Sequence, residues 1–202
     1  MQQGGRRTQV RARRVVLIGH LYVRRLEKYM LTSSDLSNLG LHGVEMRCVG
    51  VSGGALRPDQ STRRPYSCMC RYIGRVSHYH PDVIYVHFEE NDLGRMSSGR
   101  ISTELMRFVN ALSVLCTTRT VIIGQLIPFP DSPFRDSVIG INDHLLQEIR
   151  PPHKFWIHRS GLMEASRQIF LDGDIQLNQT GMLCYWRSIQ TVVGRVLGHN
   201  GH

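Results

Sequence analysis

The chain reads as an α/β protein built on a parallel five-stranded sheet with helices on both faces. Three observations predict this. Short apolar runs of strand length alternate with stretches whose apolar residues recur at helical spacing, the pattern of successive βα units. The run Val83-Ile84-Tyr85-Val86-His87-Phe88 is apolar on both faces, as a strand buried within a parallel sheet must be, and it ends abruptly in Glu89, Glu90, Asn91, Asp92 and Gly94. The length of 202 residues and a hydrophobic content of 41% suit one domain with a sizeable core, and neither an internal repeat nor a long linker divides it.

The elements follow in order. Val15-Val16-Leu17-Ile18-Gly19 is the first strand, and the residues from His20 to Met30 space their apolar side chains as a helix does. Gly43 to Val51 is the second strand, closed by the turn Ser52-Gly53-Gly54; Arg57 to Tyr66 is a loop broken by Pro58 and Pro65. Cys68 to Val76 is expected to be a helix leading into the central strand. Beyond it Ile101, Leu105, Phe108, Val109, Leu112 and Leu115 form a helical stripe. Thr120 to Ile127 is the fourth strand, ended by Pro128 and Pro130, and Ser137 to Ile149 is a helix stopped by Pro151-Pro152. Phe155 to His158 is a short fifth strand, and Met182 to Leu197 is a closing helix. The organisation is thus a basic flexible arm at 1–14, a single domain at 15–197 and a frayed tail at 198–202.

The formal net charge is +9, carried almost wholly by arginine, since only Lys28 and Lys154 are lysine. Arginine forks suit phosphate and carboxylate. Arg6, Arg7, Arg11, Arg13 and Arg14 crowd the arm, which makes nucleic acid the expected partner; solvated arginines of no special role are the plainer account. The five cysteines are odd in number and lack a CxxC pair, so reduced thiols are expected, with Cys48 and Cys116 as small core residues. No apolar run approaches the roughly 18 residues of a membrane span. With a polar, basic beginning and no signal-peptide core, an intracellular location is expected, cytoplasmic or nuclear.

At the carboxyl ends of strands in an open α/β sheet, ligand and catalytic groups gather, which singles out Asn91 and Asp92. Four segments there resemble the sequence blocks of the SGNH (GDSL-like) hydrolases, and the resemblance spans roughly Val15 to Leu197. Val15–Gly19 with its following helix resembles the first block, Gly50-Val51-Ser52-Gly53-Gly54 the second, and Val86–Leu93 the third. Phe170-Leu171-Asp172-Gly173-Asp174-Ile175-Gln176-Leu177-Asn178 followed by Gly181 resembles the last. The third block and Tyr185-Trp186-Arg187-Ser188-Ile189 look most like the SGNH-like domains encoded by animal transposable elements. The resemblance implies a flavodoxin-like three-layer α/β/α sandwich and ester hydrolysis. It implies a serine nucleophile after the first strand, oxyanion donors at Gly53 and Asn91, and an acid and base in the last block.

The departures fall on the chemistry. The family's Gly-Asp-Ser is here Gly19-His20-Leu21, so the nucleophile position holds Leu21. The base position holds Gln176, whose amide shuttles no proton near neutral pH, and the acid position is Gly173, flanked by Asp172 and Asp174. Glu89 replaces the third-block glycine and would oppose a developing alkoxide. The expectation is a domain that has lost serine-esterase activity and serves as a binding or assembly scaffold, with an oligomer among its forms. The alternative is an active carboxylic-ester hydrolase using Ser52 and His158 with Asp172 or Asp174. His20, Glu89, Glu90, Asp92, Asp172 and Asp174 form a conceivable carboxylate-rich cation site, against which stands their pairing with the abundant arginines. No metal site and no cofactor are assigned; the chain lacks G-x-G-x-x-G and Walker motifs. His78 and His80 read as surface residues at the amino end of the sheet, and His87 as a satisfied core histidine.

Overall fold

The computed structural model describes residues 11–57, 67–88, 90–129, 131–158, 162, 167–172 and 176–199. In chain order these form β1 (Arg13–Gly19), α1 (Leu21–Met30), β2 (Val44–Gly50), the two-residue strands β3 (Gly54–Ala55) and β4 (Ser67–Cys68), and α2 (Ile73–His78). Then come β5 (Val83–His87), α3 (Ser98–Leu115), β6 (Thr120–Gly124), α4 (Arg135–Glu148), β7 (Lys154–Trp156) and α5 (Gln179–Leu197). The main sheet has the order β2-β1-β5-β6-β7 with every pair parallel. This is the doubly wound, flavodoxin-like arrangement, and its topological switch lies between β1 and β5.

Side chains alternate across the sheet and fill two cores. Val16, Ile18, Ile84, Val86, Val121 and Ile123 pack under α2, α3 and α4. Val15, Leu17, Val83, Tyr85 and Ile122 pack under α1 and α5. Each such side chain contributes roughly 1.5–3 kcal/mol by leaving water, and the central strands, buried on both faces, contribute most. Cys48 and Cys116 are buried small residues of these cores, and all five cysteines are free thiols.

The sequence placed these elements in the right order but misjudged several ends. β1 begins at Arg13, not Val15. The Arg13 amide donates to the Gly43 carbonyl at 2.7 Å and the Arg14 amide to Asp82 Oδ2 at 2.7 Å. Arg13 and Arg14 therefore belong to the sheet and not to the arm, while Arg6 and Arg7 lie outside the described residues. Beyond Gly124 the Gln125 amide still donates to the Trp156 carbonyl at 2.9 Å, but the Leu126 amide and carbonyl are both taken by Asn142, at 2.9 Å each, and β6 goes no further. β7 ends at Trp156, since the His158 amide donates to Gln125 Oε1 at 3.2 Å instead of continuing a ladder. The stretch expected as one helix from Cys68 is a 3₁₀ turn over Met69–Tyr72 followed by the short α2. Leu115, expected on the buried stripe of α3, is 60% exposed; the buried stripe runs instead from Leu112 to Cys116.

α5 starts before Met182 because Asn178 caps it, accepting from the Gly181 amide at 3.0 Å. At the other end Gly198 takes φ +79° and the His199 amide returns to the Gly194 carbonyl at 2.8 Å. These two residues of the expected tail are a helix cap.

Gly19 closes β1 against β5. A Cβ there would overlap the His87 carbonyl oxygen and lie 2.7 Å from Val23 Cγ2. Strand backbone cannot yield, so Gly19→Ala is expected to cost about 3 kcal/mol or more. A urea midpoint equal to that of the unaltered chain would count against this packing.

Candidate active site

The crevice beyond the carboxyl ends of β1 and β5 receives His20, Asn91 and the turn after β2. His20 follows β1 directly and precedes α1, with φ −91° and ψ −134°. Its ring is buried, edge-on to Phe88 at 5.4 Å between centroids. A Cβ built on Gly54 would meet His20 Cδ2 at 2.8 Å and Nε2 at 3.0 Å. The imidazole thus lies flush against the glycine turn, filling the space above it.

Asn91, half-buried, directs its amide nitrogen to two acceptors. It donates to the Gly54 carbonyl at 2.9 Å and faces His20 Nδ1 at 3.3 Å. An amide N–H offered to Nδ1 makes that nitrogen the acceptor and leaves the ring proton on Nε2. Nε2 is buried without a partner. Burial pushes the His20 pKa down to about 4, so the ring is neutral near pH 7.

The other anticipated residues are scattered. Leu21 opens α1, half-buried, and offers no nucleophilic atom. Gly53 takes φ +62°, which only glycine adopts without strain. Asp172 is exposed in a turn after Phe170, and Gln176 accepts from the Leu171 amide at 2.8 Å through its backbone carbonyl. Gly173, Asp174, Glu89 and the side chain of Glu90 lie outside the described residues. Asp92 faces inward: its carboxylate accepts from the Leu56 amide at 2.9 Å. Burial raises its pKa, while the Leu56 N–H and the Arg95 charge oppose that rise. Among the described residues no three His, Cys, Asp or Glu side chains gather as cation ligands.

The pair Ser52–His158 is not a dyad. Ser52 is exposed just past β2, and His158 lies just past β7, at opposite edges of the sheet. Four strand spacings of about 4.8 Å put roughly 19 Å between the strands that carry them. His158 is buried instead in a polar network that the sequence did not reveal. Its Nδ1 meets Ser188 Oγ at 2.8 Å, and Trp156 Nε1 donates to the same hydroxyl at 2.9 Å. Tyr85 OH lies 3.5 Å from His158 Nε2, and burial lowers the His158 pKa to about 3. One signal was present: Ser188 interrupts the apolar face of α5 between Tyr185, Ile189 and Val192. Its partner lies 30 residues away, so no local pattern named it.

His87 is a core histidine but not a satisfied one. Neither ring nitrogen has a partner, and the ring sits among Tyr185 at 5.1 Å, Tyr22 at 5.5 Å and His158 at 5.8 Å between centroids. Burial first, then the neighbouring His158 and His20, hold its pKa well below the ordinary value. His78 and His80 are exposed, as expected of the amino end.

No family model matches the chain, and no curated protein matches it in sequence. Solved structures do match in fold. A member of the lipolytic G-D-S-L family from Veillonella parvula DSM 2008 is 18% identical with a TM-score of 0.68, over 91% of this chain and 100% of that one. A carbohydrate esterase of family 3 from Talaromyces cellulolyticus is 16% identical with a TM-score of 0.60, over 94% and 100%. An acetyl esterase solved with an acetate ion is 15% identical with a TM-score of 0.59, over 92% and 98%. The architecture is the one these solved proteins have. At these identities it is the fold that is shared.

Proposed function

We propose that this chain is an SGNH-type domain of mobile-element origin that has lost serine-esterase chemistry and works as a binding or assembly scaffold, with its basic arm contacting nucleic acid. One observation carries the loss of activity: the His20 ring occupies the crevice against Gly54 and engages the Asn91 amide. A hydrolase would need that amide to meet a developing oxyanion. Leu21 in the nucleophile position and Gln176 in the base position supply neither the family's attacking atom nor its proton acceptor. The exposed arginines and net charge of +9 support a polyanionic partner, and five free cysteines fit a reducing, intracellular setting.

The test is hydrolysis of a short-chain aryl ester by the purified chain. The expected rate is the uncatalysed one. Turnover abolished by Ser52→Ala would overturn this reading and make the protein an enzyme with a relocated nucleophile.

A further inference from the structure

The amino end of the sheet carries a feature that the switch-point crevice does not explain. Two adjoining cavities, of 210 and 340 Å³, run along the outer edge of β2 and share Arg47 and Tyr79 as lining. Arg14 lines the first and Arg75 the second, so three guanidiniums from β1, β2 and α2 border one continuous groove. Two carboxylates also line it. Glu45 holds Arg47 Nη2 at 3.1 Å and lies 4.0 Å from Arg14 Nε, and Glu27 lies at the far end. Asn38, also on the groove wall, accepts from the Met46 amide at 3.0 Å through its Oδ1.

We infer that this groove takes the backbone of a single-stranded nucleic acid. Guanidinium forks match phosphate oxygens in pairs, and Tyr79, lining both cavities, supplies an aromatic surface for a base. The two cavities, of 210 and 340 Å³, are far smaller than a duplex, which would touch only their rim. β2 is an edge strand, and a charged ligand along its arginines also shields that edge from pairing with another chain. The inference rests on the nucleic-acid reading above but assigns the contact to the folded domain and not to the arm.

Fluorescence anisotropy with a labelled oligothymidylate and the full chain separates the two. Three phosphate contacts on a single strand give a slope of log K against log salt of about −2. Arg47→Ala with Arg75→Ala, both at exposed positions, is expected to weaken binding about tenfold at low salt and to flatten the slope by about 1.4. Arg100→Ala with Arg135→Ala removes the same charge from exposed positions on α3 and α4, and should change affinity less than twofold. Equal loss in both pairs would overturn the groove in favour of diffuse charge. Loss only in Arg6→Ala with Arg7→Ala would also overturn it while leaving the arm as the contact. Loss only in the groove pair would keep the groove and discard the arm. Displacement of the oligonucleotide by polyglutamate at equal charge would make the groove a site for acidic protein, and tighter binding of a duplex of the same length would equally refute a single-strand site.

Discussion

Between pH 7.5 and pH 5 the folded state is expected to lose about 4 kcal/mol of stability through its buried histidines. His20 and His158 have folded pKa values of about 4 and about 3 against an ordinary value of 6.5. Their rings bind protons more readily when unfolded, so stability is full above pH 6.5 and falls as the pH drops towards the folded values. Across 1.5 pH units below 6.5 each contributes about 2 kcal/mol, at 1.36 kcal/mol per unit. His87, held below its ordinary range, acts in the same direction. Asp92, held above its range by burial, works with the opposite sign. Against a typical total of about 5–15 kcal/mol, the histidine effect is a large fraction. Urea midpoints measured at pH 7.5, 6.5 and 5 check it. Equal midpoints at pH 6.5 and 5 would mean the three rings are hydrated and free to titrate.

The second large effect concerns the crevice. Leu21→Ser with Gln176→His restores a nucleophile and a base on paper, yet hydrolysis of an aryl acetate is expected to stay at the uncatalysed rate. The His20 ring still fills the space over Gly54 and holds the Asn91 amide. Adding His20→Asp, the residue the resemblance places there, vacates that space and frees an N–H. Turnover is then expected to rise by about 10² or more, the lower end of general acid–base contributions. Activity already present in the double variant would show that the ring does not block the crevice. Silence in the triple variant would show that the crevice is closed by more than His20.

The sheet was legible because β-branched and aromatic runs buried on both faces leave little choice of structure: Val83–Val86 and Val15–Ile18 form their strands as read. What the sequence could not convey was satisfaction of polar groups. Asn142, Gln125 and Asp82 each take a backbone amide from a distant segment, and those bonds, not the local pattern, set the ends of β6, β7 and β1. The crevice shows the same division. Leu21 and Gln176 depart from the blocks they resemble one letter at a time, which a local reading can register. The plugging of the site by His20 depends on a contact with Gly54, 34 positions along the chain, and the burial of His158 depends on Ser188.

The tie at Asp82 has a wider meaning. Its carboxylate receives the Arg14 amide and lies within 4.0 Å of the Arg11 and Arg13 side chains. That anchors the exit of the N-terminal segment at the foot of the sheet, whereas the crevice lies at its top, one length of β1 away, roughly 20 Å at 3.3 Å per residue. The molecule is therefore bipolar. Substitutions at one end lie a strand's length from the other, so the two ends are free to drift in sequence at different rates.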